Sequence, residues 1–140
     1  MKILIVNGPN LNLLGEREPG IYGSATMESM MDKLRRLYPE IEFGYFQSNI
    51  EGELIDCLQQ ARLDGTDGIL LNAGGYTHTS VALHDCIRSL EKPVVEIHIS
   101  NVAAREEFRH TSLIGAACVG TIAGFGLDSY RLGVEAIIKE

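Results

Sequence analysis

Residues 68–100 read GILLNAGGYTHTSVALHDCIRSLEKPVVEIHIS, and this stretch decides the fold. Gly68-Ile69-Leu70-Leu71 is a short apolar run stopped by polar and glycine residues, the pattern of a strand buried on both faces. Ala82, Leu83, Cys86, Ile87 and Leu90 then recur at helical spacing, and Pro93 follows them, so a helix runs over this segment and ends before the proline. Residues 93–99 form a second apolar strand. A strand, a crossover helix and another strand within about 30 residues indicate a parallel pair.

The same alternation extends in both directions. Upstream, residues 2–6 (Lys2-Ile3-Leu4-Ile5-Val6) make a buried strand stopped by Asn7-Gly8-Pro9-Asn10. Residues 10–24 form a long loop carrying Gly15, Pro19, Gly20 and Gly23; a loop of this length in a small domain points to function or disorder. Met27, Met30, Met31, Leu34 and Leu37 give a helix with Thr26 as its N-cap and Pro39 beyond its end. Residues 41–46 alternate as a strand. Ser48 and Glu51 then stand as a capping-box pair ahead of a helix on Ile50, Leu54, Leu58 and Ala61.

Downstream, residues 101–110 are polar, a loop with a short helix. Residues 117–123 are a fifth strand, and Tyr130, Val134, Ile137 and Ile138 line a terminal helix. Five β-α units in sequence predict an α/β flavodoxin-like fold: a doubly wound five-stranded parallel sheet with helices on both faces. At 140 residues the chain has room for one core, so residues 1–140 are a single domain.

Charge and composition exclude several classes. Twelve basic residues against 19 acidic ones leave a formal charge of -7 with no cationic run, which argues against nucleic acid as a partner. No apolar stretch approaches the roughly 20 residues that cross a bilayer, and the first strand meets Asn7 and Pro9 too early for a signal-peptide core. A cytoplasmic location without membrane association is the expectation. Cys57, Cys86 and Cys118 are odd in number and sit in apolar-periodic segments, so they read as small buried hydrophobes.

In a doubly wound sheet, ligands bind beyond the carboxyl ends of the strands near the point where strand order reverses, here between strands one and three. The loops after strands one, three and four hold much of the chain's polar chemistry: Asn7, Asn10, Asn12, Arg17 and Tyr22; Asn72, Thr77, His78 and Ser80; Glu96, His98, Ser100, Arg105 and Arg109. On the fourth strand, period-two alternation puts Glu96, His98 and Ser100 on one face and Val95, Ile97 and Ile99 on the other. Both faces of a parallel strand are normally apolar, so the carboxylate and imidazole should interact or face a wet pocket. Such a carboxylate orients the ring and favours its protonated form. The plainer reading is a half-exposed strand end.

Asn72-Ala73-Gly74-Gly75-Tyr76-Thr77-His78-Thr79-Ser80 passes through two glycines into a helix start, where free N–H groups and hydroxyls can meet a polar or anionic ligand. Capping by Thr77 or Thr79 would explain the threonines but not His78. In the first loop, Arg17-Glu18-Pro19-Gly20-Ile21-Tyr22-Gly23 puts an arginine and a tyrosine on one punctuated segment. A phenol with an ordinary pKa near 10 serves as a base only when a cation stabilises its phenolate. A surface tyrosine beside a solvated arginine is the alternative for that segment taken alone.

His84 and His110 have no second His or Cys at ligand spacing, so no metal is expected. Residues 8–15 lack the Gly-Lys-Ser/Thr ending of a Walker loop, and residues 120–126 lack the dinucleotide glycine spacing. No nucleotide cofactor is expected.

Four blocks of residues together resemble type II 3-dehydroquinate dehydratase across essentially the whole chain. They are Gly8-Pro9-Asn10-Leu11-Asn12-Leu13-Leu14-Gly15; Arg17, Pro19, Tyr22 and Gly23; Tyr76-Thr77-His78-Thr79-Ser80; and Glu96-Ile97-His98-Ile99-Ser100-Asn101 with Arg105-Glu106-Glu107-Phe108-Arg109. The resemblance implies a cofactor-free hydro-lyase that converts 3-dehydroquinate to 3-dehydroshikimate through an enolate, in the shikimate pathway.

It implies Tyr22 as the base, Arg17 as the cation holding its phenolate, Asn12 as an enolate contact through water, and His98, oriented by Glu96, as the acid for the leaving hydroxyl. For substrate binding it implies Asn72, His78 and Arg109 on the ring hydroxyls and Ile99 and Ser100 on the carboxylate, with Arg105 a nearby loop arginine. Asp85 would reach a neighbouring subunit's site in a homododecamer built from trimers; from the sequence alone it reads as a solvated helix position. Ala73, Gly75, His84 and Ala103 depart from residues common in the family, and none removes a proposed catalytic group.

Two other readings stay open on residues alone. A flavodoxin-like module could bind a small polyhydroxy acid without chemistry, but it would have no need to pair Tyr22 with Arg17 or His98 with Glu96. A metal-free lyase or isomerase for another hydroxy-ketone acid would use the same groups, and only substrate assays separate it.

Overall fold

β1 (Lys2–Asn7) is an interior strand of a parallel sheet, with β2 (Glu42–Gln47) on one side and β3 (Gly68–Asn72) on the other. β4 (Val94–His98) and β5 (Gly120–Ala123) complete the order β2-β1-β3-β4-β5. This computed structural model describes residues 1–15 and 25–139. Among them are four α-helices: α1 (Met27–Leu37), α2 (Glu51–Ala61), α3 (Val81–Arg88) and α4 (Asp128–Lys139). The doubly wound, flavodoxin-like architecture expected from the alternating pattern is the one observed.

Alternation within each strand sends side chains to two separate cores. Ile3, Ile5, Leu70, Val95 and Ile97 meet α1 and α4, whereas Val6, Ile69, Leu71 and Val94 meet α2 and α3. Burying a leucine or isoleucine completely, as at Leu34, Leu54, Leu58 and Ile97, contributes about 1.5–3 kcal/mol each relative to exposure. The helices therefore hold to the sheet chiefly through these apolar stripes.

Two local expectations change, the start of β5 and the cap of α2. The connection from β4 to β5, expected as a loop with a short helix, is a loop with three short 3-10 turns, Val102–Ala104, Glu107–Arg109 and Gly115–Ala117. Residues 101–110 offer no apolar stripe at helical spacing, so a full helix there would have no face to bury. β5 begins at Gly120 rather than residue 117, because that third turn occupies the expected start.

The Ser48–Glu51 capping box is also absent. Ile50 is the N-cap of α2, and the Ser48 hydroxyl accepts the Ile50 N–H at 3.0 Å while donating to the carboxylate of Glu53. The helix starts too late for Glu51 to reach back. At α1 the expected Thr26 cap does form, as a reciprocal box with Ser29: the Ser29 N–H meets Thr26 Oγ1 at 3.1 Å and the Thr26 N–H meets Ser29 Oγ at 3.3 Å.

Ser80, not Thr77 or Thr79, caps α3 by accepting the Leu83 N–H at 2.9 Å. Thr77 is buried, and its hydroxyl has no hydrogen-bond partner among the described residues. No described helix is long and apolar enough to cross a membrane.

Candidate active site

The carboxyl ends of β1, β3 and β4 converge where the strand order reverses. Their loops meet there because Gly8 has no side chain: a Cβ at that position would lie 2.5 Å from the backbone oxygen of Ala73. The Gly8 N–H donates to the Asn72 carbonyl at 2.7 Å, which ties the two loops together. Asn10 follows in the left-handed region (φ 71°), a conformation asparagine tolerates better than most residues.

These loops enclose a cleft of about 130 Å³. The first contributes Pro9, Asn10 and Leu11, the β3 loop Asn72, Gly74, Gly75 and His78, and the β4 side His98, Ile99, Ser100, Val102, Arg105 and Arg109.

Glu96 and His98 lie on the same face of β4, as alternation predicts, and both are buried. Oε2 of Glu96 meets Nε2 of His98 in a short contact, and its other oxygen accepts from Ser112 Oγ at 3.0 Å and Thr121 Oγ1 at 3.2 Å. Burial alone would push the Glu96 carboxyl up. The hydrogen bond and charge of His98, with the two hydroxyls, outweigh that and hold it below the ordinary carboxylate value. A buried carboxylate fully supplied with donors is a stable anion, and it fixes the imidazole ring through Nε2. Nδ1 of His98 has no hydrogen-bond partner among the described residues and is the nitrogen available to a ligand.

His78 stacks near His98, with ring centroids 6.5 Å apart and planes 16° from parallel. Nδ1 of His78 donates to the Thr111 carbonyl at 2.8 Å; a carbonyl only accepts, so that nitrogen carries the proton. Arg109 and Arg105 share Glu106, at 3.2 Å and 3.7 Å, and Arg105 also approaches Ser100 Oγ at 3.4 Å. The cleft therefore combines an anion-bound imidazole, a second histidine and two guanidinium groups, a set suited to a small anionic, hydroxylated ligand.

The residues expected from sequence distribute unevenly. Asn72, His78, His98, Ile99, Ser100 and Arg109 line the cleft, and Glu96 lies behind His98. Asn12 is exposed on the 3-10 turn Leu11–Leu13, and it is Asn10 and Leu11 that line the cleft there. Asp85 is largely exposed on α3 with His84 Nδ1 3.2 Å away, and it does not line the cleft of its own chain. Arg17 and Tyr22 lie outside the described residues.

Sequence reasoning passed over Ser112 and Thr121. Thr121 stands opposite Glu96 in the β4–β5 register, which no local pattern reveals. Burial pushes the Cys57 thiol up to about 11 and the Cys118 thiol up to about 12, in keeping with inert, space-filling cysteines. Among the described residues no group of three or more His, Cys, Asp or Glu side chains could hold a metal ion.

The sequence profile of the family described as dehydroquinase class II matches residues 1–138. A 3-dehydroquinate dehydratase of Prochlorococcus marinus (strain NATL1A) is 50% identical over 141 residues, covering 99% of this chain and 97% of the relative. One of Exiguobacterium sp. (strain ATCC BAA-1283 / AT1b) is 52% identical over 140 residues, covering 99% and 95%. The crystal structure of type II dehydroquinase from Butyrivibrio crossotus DSM 2876 superposes with a TM-score of 0.95 at 45% identity, covering 99% of this chain and 97% of that one. With its fold and its sequence both matching along nearly their whole length, this chain belongs to the class II dehydroquinase family.

Proposed function

We propose that this protein is a type II 3-dehydroquinate dehydratase, a hydro-lyase that removes water from 3-dehydroquinate to give 3-dehydroshikimate in the shikimate pathway, without a cofactor. The observation that carries the reading is the buried Glu96–His98 couple at the edge of a cleft lined by His78, Arg105 and Arg109. Family membership supports the substrate.

In this reading the Tyr22 phenolate, held by Arg17, removes the proton on the carbon beside the ketone, and the electron pair moves to the carbonyl oxygen as an enolate. Asn12 stabilises that oxygen through water. The enolate then collapses, the carbon–oxygen bond to the leaving hydroxyl breaks, and His98 protonates that oxygen so that it departs as water. Glu96 holds His98 in place throughout. The site is reset when the proton on Tyr22 is returned through solvent to His98.

Asn72, His78 and Arg109 contact the ring hydroxyls, and Ile99 and Ser100 hold the carboxylate. Asp85 reaches the site of a neighbouring subunit in a homododecamer of trimers, located in the cytoplasm. Light scattering of the purified protein tests the assembly, and a monomer would remove Asp85 from the scheme.

The activity is tested by mixing purified protein with 3-dehydroquinate in EDTA and following conjugated-enone absorbance. Enone absorbance should grow, and Tyr22→Phe and His98→Ala should each lose about a hundredfold or more in kcat. Silence of the wild type removes the assignment, and near-normal rates in either variant remove that residue's role.

A further inference from the structure

Tyr130 lies on α4, 58 residues beyond Asn72 and 123 beyond Asn7, yet its hydroxyl sits between these two asparagines at the carboxyl ends of β1 and β3. Asn7 and Asn72 are register partners and project to the α4 side of the sheet. All three side chains are buried. α4 comes close enough because Gly133, one turn after Tyr130, lacks a Cβ, which would lie 2.8 Å from Ile97 Cδ1 and 2.9 Å from Leu70 Cδ2.

The direction of every hydrogen bond in this group follows from one fixed donor. The Gly74 backbone N–H can only donate, and it meets Asn72 Oδ1 at 3.2 Å. Nδ2 of Asn72 is therefore the end that faces Tyr130, donating to its oxygen at 3.1 Å. Tyr130 must then send its single proton the other way, to Asn7 Oδ1 at 2.7 Å, and Asn7 Nδ2 is left to reach the Tyr45 hydroxyl at 3.4 Å. Burial keeps the Tyr130 phenol protonated well above the ordinary range, so that proton is always present.

From this chain of donors we infer that Tyr130 is a positioning residue for substrate binding: the Gly74 N–H sets which end of the Asn72 amide faces Tyr130, and the Tyr130 hydroxyl, accepting from Nδ2, pins that end in place. The edge of Asn72 that borders the cleft then has a fixed sequence of donor and acceptor. The other orientation would leave the part-buried Gly74 N–H facing an NH₂ group. The inference rests on the proposed activity, in which Asn72 contacts a ring hydroxyl. A phenylalanine at position 130 would fill the same space and remove the partner of Nδ2, loosening the Asn72 side chain.

The test is a double-mutant cycle on 3-dehydroquinate turnover with Tyr130→Phe, Asn72→Ala and the pair. Tyr130→Phe should lower kcat/KM about tenfold, mostly through KM, and in the Asn72→Ala background it should change kcat/KM by less than about twofold. A merely structural role for the hydroxyl would lower Tm and leave the cycle additive. If Tyr130→Phe does not fold, Asn7→Ala removes the acceptor that directs the Tyr130 proton, and its cycle with Asn72→Ala should show the same non-additivity. An active wild type with additive losses, or unchanged kcat/KM in Tyr130→Phe, overturns the inference alone. An inactive wild type overturns the proposed function and the inference with it.

Discussion

Glu96 and His98, two residues apart on β4, face the same side of the sheet, and the carboxylate of one meets Nε2 of the other in the protein interior. A strand turns this spacing into contact because residues at i and i+2 share a face. The carboxylate is stable there only because His98, Ser112 and Thr121 all supply it with protons to bind.

Replacing Glu96 tests the acid side of the stability profile. The carboxyl is held below its ordinary value in the folded protein, so the native state binds fewer protons than the unfolded one. Its stabilisation is complete above the unfolded value near pH 4.3 and is lost as pH falls through the lower folded value. Glu96→Gln should therefore flatten the fall in Tm between about pH 5 and pH 3, while kcat drops about tenfold or more because the ring loses its anion. Asp64 and Asp128 are also held low and remain in both proteins, so the difference between the two curves isolates Glu96. Parallel melting curves would show that the carboxylate contributes nothing in this range.

Ser112→Ala and Thr121→Val each remove one donor from Glu96 Oε1. Each should lower stability by about 1–2 kcal/mol in chemical denaturation, and the pair should lower it by less than the sum of a fully lost network. Rates should fall only a few fold, since the His98 contact uses the other oxygen. A variant with unchanged stability would mean that water replaces the hydroxyl without loss.

Two glycines of neighbouring loops should behave oppositely. Gly8→Ala places a Cβ 2.5 Å from a backbone oxygen that cannot move without opening the β1–β3 loop contact, so a loss of about 1–3 kcal/mol and of most activity is expected. At Gly75 nothing lies within 4 Å of an added Cβ, and Gly75→Ala should leave Tm unchanged or raise stability by about 0.4–1 kcal/mol. Thermal melts and initial rates on both variants check this, and a destabilised Gly75→Ala would contradict the open space.

Arg109 is partly exposed and pairs with Glu106 across an exposed stretch of loop, a contact that solvent screens and that contributes little to stability. Arg109→Ala should leave Tm within a degree or two and raise KM for 3-dehydroquinate about tenfold or more. A normal KM would take the guanidinium out of substrate binding.

Strand and helix identities, and with them the doubly wound sheet, were legible in residues 1–140 because buried parallel strands and amphipathic helices leave periodicities that local sequence carries by itself. The pairing of Glu96 with His98 was legible for the same reason, being a matter of two positions on one strand. The hydroxyls of Ser112 and Thr121 on Glu96, and of Tyr130 between Asn7 and Asn72, were not. Tyr130 occupies an apolar position in a helical stripe, and only its depth against the sheet turns its phenol into a bridge between two strand ends. Those contacts depend on strand order, on the β4–β5 register and on how closely α4 approaches at Gly133. They are distances between elements far apart in the chain, set by the packing of the whole domain and by no local pattern of residues.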